Sequence, residues 1–338
     1  MTKAAFFKFV VGGLVGLLFL AIYGGSAHAT YYSLASISGN NVVANKVDTS
    51  TSPDKNSLYL YNISSASLET ITAETKGIVS VDIDGGYVVY EDALVSSGNI
   101  HLYKISSHVD TVIATDGKWP TDVRISGNKV IYYNTANQLC AYDIPTKALS
   151  VLTAAPTYVD HVAISGDITL YEDTSLGLGS VMLYLNPRTF SGGSYTCIMP
   201  AGTCNHTVYH EAASPYVSWV ESYFGSATAT TIKIYDARTG LIETISSTRQ
   251  IGGADIDRNL GGSYNVVYEE YDTTSRAFYI MLKDSSSRAI SSSSYIQKEP
   301  KISGKYIIWS QANATYTSGA AEIRLYNILT GAESIILN

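Results

Sequence analysis

The sequence has little of what most catalytic and nucleic-acid-binding chemistry needs. Its 338 residues hold only three cysteines, Cys140, Cys197 and Cys204. None has the CxxC spacing or the Cys/His grouping of a zinc site. Histidines are few and scattered, and G-x-S-x-G, H-E-x-x-H and a phosphate-binding glycine loop are all missing. Basic residues number 22 against 29 acidic ones, with no basic run, so binding to a phosphate backbone is not expected. Asp82-Ile83-Asp84-Gly85 resembles the start of a calcium loop, but the remaining ligands are not at their spacing. No segment keeps a 3.6-residue apolar stripe for three turns, which argues against a helical domain. Residues 10–22 form the one long apolar run.

That run follows Lys3 and Lys8 and precedes Ala27-His28-Ala29, a small-x-small pattern. The order basic, apolar, small-x-small is that of a secretory signal peptide. The run is short and interrupted by Gly12, Gly13 and Gly16, a poor membrane span. Residues 1–29 are therefore expected to be a cleaved signal peptide, with an uncleaved anchor as the alternative. Cleavage would remove two lysines and no acid, taking the net charge from −7 to −9. In an oxidising compartment Cys197 and Cys204 are expected to pair across a turn centred on Pro200-Ala201-Gly202. Cys140 reads as a buried small hydrophobe. Asn62, Asn205 and Asn313 begin N-x-Ser/Thr triplets, candidate glycosylation sites in an organism that glycosylates exported proteins.

What the chain does have is a repeat. Ile-Ser-Gly or a near variant closes a short strand at Ile37, Ile83, Ile125, Ile164 and Ile302, with degenerate versions at Ala212-Ala213-Ser214 and Ile256-Asp257-Arg258. A β-branched and aromatic strand follows each, as in GYVVYED, NKVIYYN and KYIIWSQ. A third strand and a weaker fourth complete the unit, as in QLCAYDI followed by KALSVLT. Apolar residues alternate with period two, and Ser, Gly, Asn and Asp punctuate every six to ten residues. Seven units divide the chain after residue 29 into stretches of about 44 residues, the length of one four-stranded propeller blade.

The expected fold is therefore all-β: a single β-propeller over residues 30–338, with four-stranded blades. Its repeats are expected at approximately 32–77, 78–120, 121–158, 159–204, 205–250, 251–295 and 296–338. Seven blades fit best. The fifth and sixth units are degenerate, so six or eight stay within the pattern, and a two-sheet sandwich is the alternative architecture. Blade seven is expected to pack directly on blade one, because no strand is lent between the termini.

ISGNKVIYY with LCAYDIPTKALSVLT, and ISGKYIIW with IRLYNILTGAESIIL, carry a resemblance to the repeats of TolB-type and related WD-like beta-propellers, especially those of archaeal and bacterial cell-surface proteins. It spans Tyr32 to Asn338, although the Trp-Asp ending and the His-bearing signature of WD repeats are absent. The resemblance implies the fold. It does not choose a function, because such scaffolds host binding modules, platforms and enzymes.

Two sets of residues are candidate sites. Counting three back from each Ile-Ser-Gly places Asp122, His161, Tyr209 and Glu299 near the channel mouth, a polar group suited to binding a sugar or metal or to acid–base work. The competing reading is a water-filled polar channel. After the second strands stand the acids Glu91, Asp92, Glu172, Asp173, Glu221 and Glu269, either a cation- or hydroxyl-binding rim or braces for their own loops. No metal centre, catalytic set or cofactor is assigned. The first functional expectation is an exported, non-catalytic module that binds a protein or glycan at the cell surface, in the periplasm or extracellularly. The alternatives are a carbohydrate-active lyase or hydrolase with its site at the channel mouth, and a self-assembling surface-layer or filament subunit.

Overall fold

The computed structural model describes residues 30–50, 54–75, 77–93, 97–118, 122–152, 162–173, 182–186, 196–197, 207–221, 231–259, 261–312 and 321–338. Every regular element among them is a β-strand, and no helix is long and apolar enough to cross a membrane. Each of seven antiparallel sheets takes four consecutive strands in chain order.

Blade 1 is β1 (Thr30–Ser38), β2 (Asn41–Asp48), β3 (Lys55–Asn62) and β4 (Ser67–Thr75). Blade 2 is β5 (Ile78–Asp84), β6 (Tyr87–Ala93), β7 (Ser97–Lys104) and β8 (Val109–Lys118). Blade 3 is β9 (Arg124–Ser126), β10 (Lys129–Tyr133), β11 (Leu139–Asp143) and β12 (Ala148–Val151). Blade 4 is β13 (Val162–Ser165), β14 (Ile168–Asp173), β15 (Met182–Asn186) and β16 (Thr196–Cys197). Blade 5 is β17 (Thr207–Ala213), β18 (Tyr216–Glu221), β19 (Thr231–Asp236) and β20 (Leu241–Ser246). Blade 6 is β21 (Gln250–Arg258), β22 (Tyr264–Asp272), β23 (Ala277–Lys283) and β24 (Ser287–Ser293). Blade 7 is β25 (Gln297–Ser303), β26 (Tyr306–Ala312), β27 (Ala321–Asn327) and β28 (Ala332–Leu337).

Period-two alternation in the second strands becomes two buried faces. In β10, Val130 and Tyr132 enter the apolar cluster shared with blade 2, while Ile131 and Tyr133 enter the one shared with blade 4. In β26, Ile307 and Trp309 pack against blade 6, and Ile308 against blade 1. One such cluster fills each of the seven seams, including that between blades 7 and 1, where Ile308, Ile323 and Leu325 meet Tyr32, Ile37 and Val42. A four-stranded sheet alone would leave these faces in water; the ring buries both. Among the described residues no strand passes between the terminal blades, and β1 packs directly on β25, β26 and β27.

First strands neighbour one another around the ring and line an axial cavity of about 400 Å³. Glycine sets the hairpin that leaves them: Gly39, Gly85, Gly127, Gly166 and Gly304 have φ between +54° and +57°, a region a side chain disfavours. Fourth strands form the outer edge, where Leu68, Val109, Leu149 and Leu241 are exposed.

Candidate functional site

The axial wall is built of rows, one residue per blade from each first strand. Nearest the hairpins is the residue between the Ile and Gly positions of each unit, and it straps the blades together. Ser38 Oγ accepts from the Gly85 amide at 3.1 Å, Asp84 from Gly127 at 2.6 Å, and Ser126 from Gly166 at 3.0 Å. Ser165 accepts from Ser214 at 2.9 Å, Asp257 from Gly304 at 2.5 Å, and Ser303 from Gly39 at 2.9 Å. Six of the seven seams carry this strap, which is the physical content of the Ser-Gly repeat.

The seventh, between blades 5 and 6, cannot form it, because Ala213 stands in the acceptor position. There the Tyr216 hydroxyl donates to the Gly262 carbonyl at 3.0 Å, and the Tyr216 and Tyr264 rings meet edge to face at 5.0 Å. Gly262 lies in the β21–β22 loop, residues 259–263, an insertion relative to the two-residue hairpins of the other blades, and Tyr264 opens β22. The two degenerate units therefore face one another, and the insertion of one compensates for the lost serine of the other.

Two residues deeper lies a charged row: Ser36, Asp82, Arg124, Ala163, Glu211, Asp255 and Lys301, each immediately before the Ile position. Glu211 is its hub. It pairs with Lys301 of blade 7 and lies 4.0 Å from Arg124 of blade 3, whose Nη2 is 3.2 Å from Asp122. Ion pairs thus cross the axis past the small Ala163. Asp82 accepts from Ser36 Oγ at 2.8 Å and from the Ile125 amide at 3.0 Å. Asp255 accepts from the Ile302 amide at 2.8 Å and the Ile256 amide at 3.0 Å.

Burial pushes the Asp82 and Asp255 carboxyls up, partly opposed by Arg124 at the first and Lys301 at the second. Burial works against the charge of Arg124 and Lys301 too. For both, the surrounding carboxylates outweigh it and hold the cation above its usual range: Asp122 then Glu211 for Arg124, and Glu211 then Asp255 for Lys301.

Of the four expected mouth residues, Asp122 and Glu299 line this cavity together. His161 lies outside the described residues, and Tyr209 is described only as backbone in β17. The row three back from Ile is not a regular polar ring. In five blades the register shifts there: between Ser33 and Ala35, Ile78 and Ser80, Val208 and His210, Ile251 and Ala254, and Lys298 and Lys301. A bulge re-aims the side chain it carries, and Glu299 accordingly sits at φ +54° and exposed. Strict alternation counted through the bulges missed the charged row. Its signal was a polar or charged residue directly before the Ile position.

The acids after the second strands behave differently from one another. Glu91 is buried, at 1 % exposure, and its Oε1 has no hydrogen-bond partner among the described residues. Burial, then Asp92 and Asp122, pushes its carboxyl up to about 8. Asp92 accepts from the Asn99 amide at 3.0 Å, bracing its own loop. Glu269 accepts from the Gly253 amide at 2.7 Å, bracing the bulge of β21, and burial raises it to about 7. Side chains of Glu172, Asp173 and Glu221 lie outside the described residues, as does Cys204 of the expected disulfide. Cys140 is buried at 1 % exposure, and burial pushes its thiol up to about 11. Asn62 donates to Asn41 Oδ1 at 2.7 Å, while Asn205 and Asn313 are not described. Among the described residues no three metal-ligating side chains converge.

Comparison with solved structures places the fold among β-propellers. The beta-propeller domain of the Trilobed protease from Pyrococcus furiosus, which has an open velcro topology, is 9 % identical over 92 % of this chain and 98 % of that one, with a TM-score of 0.69. Pyrococcus horikoshii acylaminoacyl peptidase is 11 % identical over 91 % of this chain, with a TM-score of 0.71; this chain spans 52 % of its length. TolB from Acinetobacter baumannii is 14 % identical over 68 % of this chain and 57 % of that one, with a TM-score of 0.50. At these identities the likeness is one of fold. No family model matches the sequence, and no curated protein matches it.

Proposed function

We propose that the chain is an exported binding or scaffold module that uses a propeller face to hold a protein or glycan partner at the cell envelope, without turnover of its own. The observation that carries this reading is the wiring of the axial wall. Asp82 and Asp255 are spent on main-chain amides of the next blade, and Glu211, Arg124 and Lys301 on one another across the axis. A general acid or base needs a carboxyl within reach of a substrate proton and a site for the reacting atom. Groups consumed in holding the ring are poorly placed for that. Asp122 and Glu299 line the cavity toward the end opposite the Ser-Gly hairpins, and rigid scaffolds commonly bind through the face at the mouth of such a cavity. Residues 1–29, with the order of a secretory leader, support export.

The test uses residues 30–338 on panels of neutral and acidic polysaccharides and peptides, with binding and product formation followed in parallel. Saturable binding with no product is the expected result. A product whose formation is abolished in Asp122→Asn/Glu299→Gln would overturn the reading in favour of an enzyme at the channel mouth. A regular lattice or filament in electron microscopy would favour the surface-assembly alternative.

A further inference from the structure

Two histidines with carboxylate partners lie at the outer part of the seam between blades 1 and 2, away from the axial cavity. His108 stands in the β7–β8 turn at φ +53°. Its Nδ1 is 2.6 Å from Glu69 Oε1, on β4 of the neighbouring blade, and 3.0 Å from the Tyr103 hydroxyl. Tyr103 also donates to Glu69. Two residues before Tyr103 on β7, His101 stacks on Tyr90 with ring centroids 4.5 Å apart and planes 12° apart. Its Nδ1 is 2.9 Å from Asp110 Oδ2 on β8, which also accepts from the Tyr90 hydroxyl at 2.6 Å. On the other side its Nε2 is 3.5 Å from Asp92 Oδ2 on β6.

A neutral imidazole has one N–H. It can donate to Asp92 or to Asp110, and its other nitrogen then turns a lone pair toward a carboxylate. Among the described residues Nε2 makes no hydrogen bond, so its tie to Asp92 is one of charge alone, and only the imidazolium supplies that charge while Nδ1 donates to Asp110. The titratable groups facing the two rings are Tyr90 and Asp92 from β6, Tyr103 from β7, Asp110 from β8 and Glu69 from β4, so protonation meets acids and phenols on every side.

We propose that the outer part of blade 2, where it faces blade 1, is a proton-operated latch: the imidazolium form of His101 holds Asp110 on one side and Asp92 on the other, pinning β8 to β6 across β7, and loss of its proton releases them. Burial works against the charge on His101, but Asp110 and Asp92 outweigh it and raise its basicity above the ordinary. A histidine raised in the folded state adds stability that is complete below its unfolded value and disappears as pH rises through its folded value. The latch is therefore closed in mild acid and open in mild alkali. The inner part of the seam does not depend on it, because the Ser36–Asp82 and Ser38–Gly85 bonds lie on the axis. Opening is confined to the outer strands.

The test is hydrogen exchange of residues 30–338 at pH 5.5 and 8.5, corrected for intrinsic rates, with the imidazole titrations followed by NMR. The peptide covering 105–116 should lose at least tenfold protection at the higher pH, while 67–75 in blade 1 and 232–245 in blade 5 serve as controls. His101→Gln should abolish that pH dependence, and Asp110→Asn should lower the His101 midpoint. Equal protection at the two pH values, or a His101 midpoint at or below that of a free histidine, would overturn the proposal. Both readouts come from the unmutated protein, so failure of a variant to fold does not shield it.

Discussion

The amide of Gly39 donates to Ser303 Oγ at 2.9 Å, joining the first hairpin of the chain to the last blade across 264 positions of sequence. It is the closing member of the strap series, and among the described residues no exchanged strand reinforces the seam it spans. Ser303→Ala should therefore cost about 0.5–1.5 kcal/mol, the net worth of one hydrogen bond. Gly39→Ala should cost about 1 kcal/mol or more, because φ there is +57°. Urea denaturation of residues 30–338 measures both, and a neutral Ser303→Ala would show that apolar packing alone closes the ring.

Trp309 is fully buried in the seam between blades 6 and 7, beside Val267 and Ile280. Trp309→Ala should destabilise by about 3–5 kcal/mol through lost burial and the cavity left behind. The check is the shift in denaturation midpoint at unchanged slope.

Glu211 holds Arg124 and Lys301 across the axis. Glu211→Gln leaves two partly buried cations facing a neutral amide. Breaking a fully buried pair costs about 3–5 kcal/mol, and here residual exposure of the cations reduces that to about 2–3 kcal/mol. High salt should recover part of the loss in the variant. Equal stability of variant and parent would remove Glu211 as the hub.

Glu91 supplies a second pH signature, of the same sign as that of the histidine latch but from a different group. Its folded carboxyl is pushed up to about 8 from an ordinary value of 4.5. Between those values the folded chain holds a proton that the unfolded chain has lost, so its contribution makes stability fall as pH rises. Glu91→Gln keeps the shape and removes the titration. The variant should be more stable than the parent above pH 8 and flatter across pH 5–8, as thermal melts at each pH would show. A variant that is less stable at pH 8.5 would mean that Glu91 is ionised there and held by its neighbours.

Much of the ring was legible because each blade is a local unit. Period-two strands such as Lys129–Tyr133, tight hairpins on glycine and a recurring four-strand unit all depend on residues close in sequence. Reading both residue pairs of that strand as buried required only that blades have neighbours on two sides. The candidate site was less legible. Counting back from Ile-Ser-Gly brought Asp122 and Glu299 to one cavity, but the bulges interrupt the alternation on which the count relied, and extra residues in a strand leave no unambiguous mark in sequence. Glu91 looked like a surface acid because its position in the repeat follows a strand, yet it is buried.

By itself the sequence determined what short-range physics decides: strands rather than helices, four to a unit, hairpins on Gly39 and its equivalents, and seven units from end to end. Tertiary structure alone decided what the repeated residues do for one another. Ser303 accepts from Gly39, Tyr216 compensates for the serine missing at Ala213, and Glu211 draws Arg124 and Lys301 together only because closing the ring brings positions far apart in sequence within hydrogen-bond reach, where burial raises the cost of leaving a polar group unpaired.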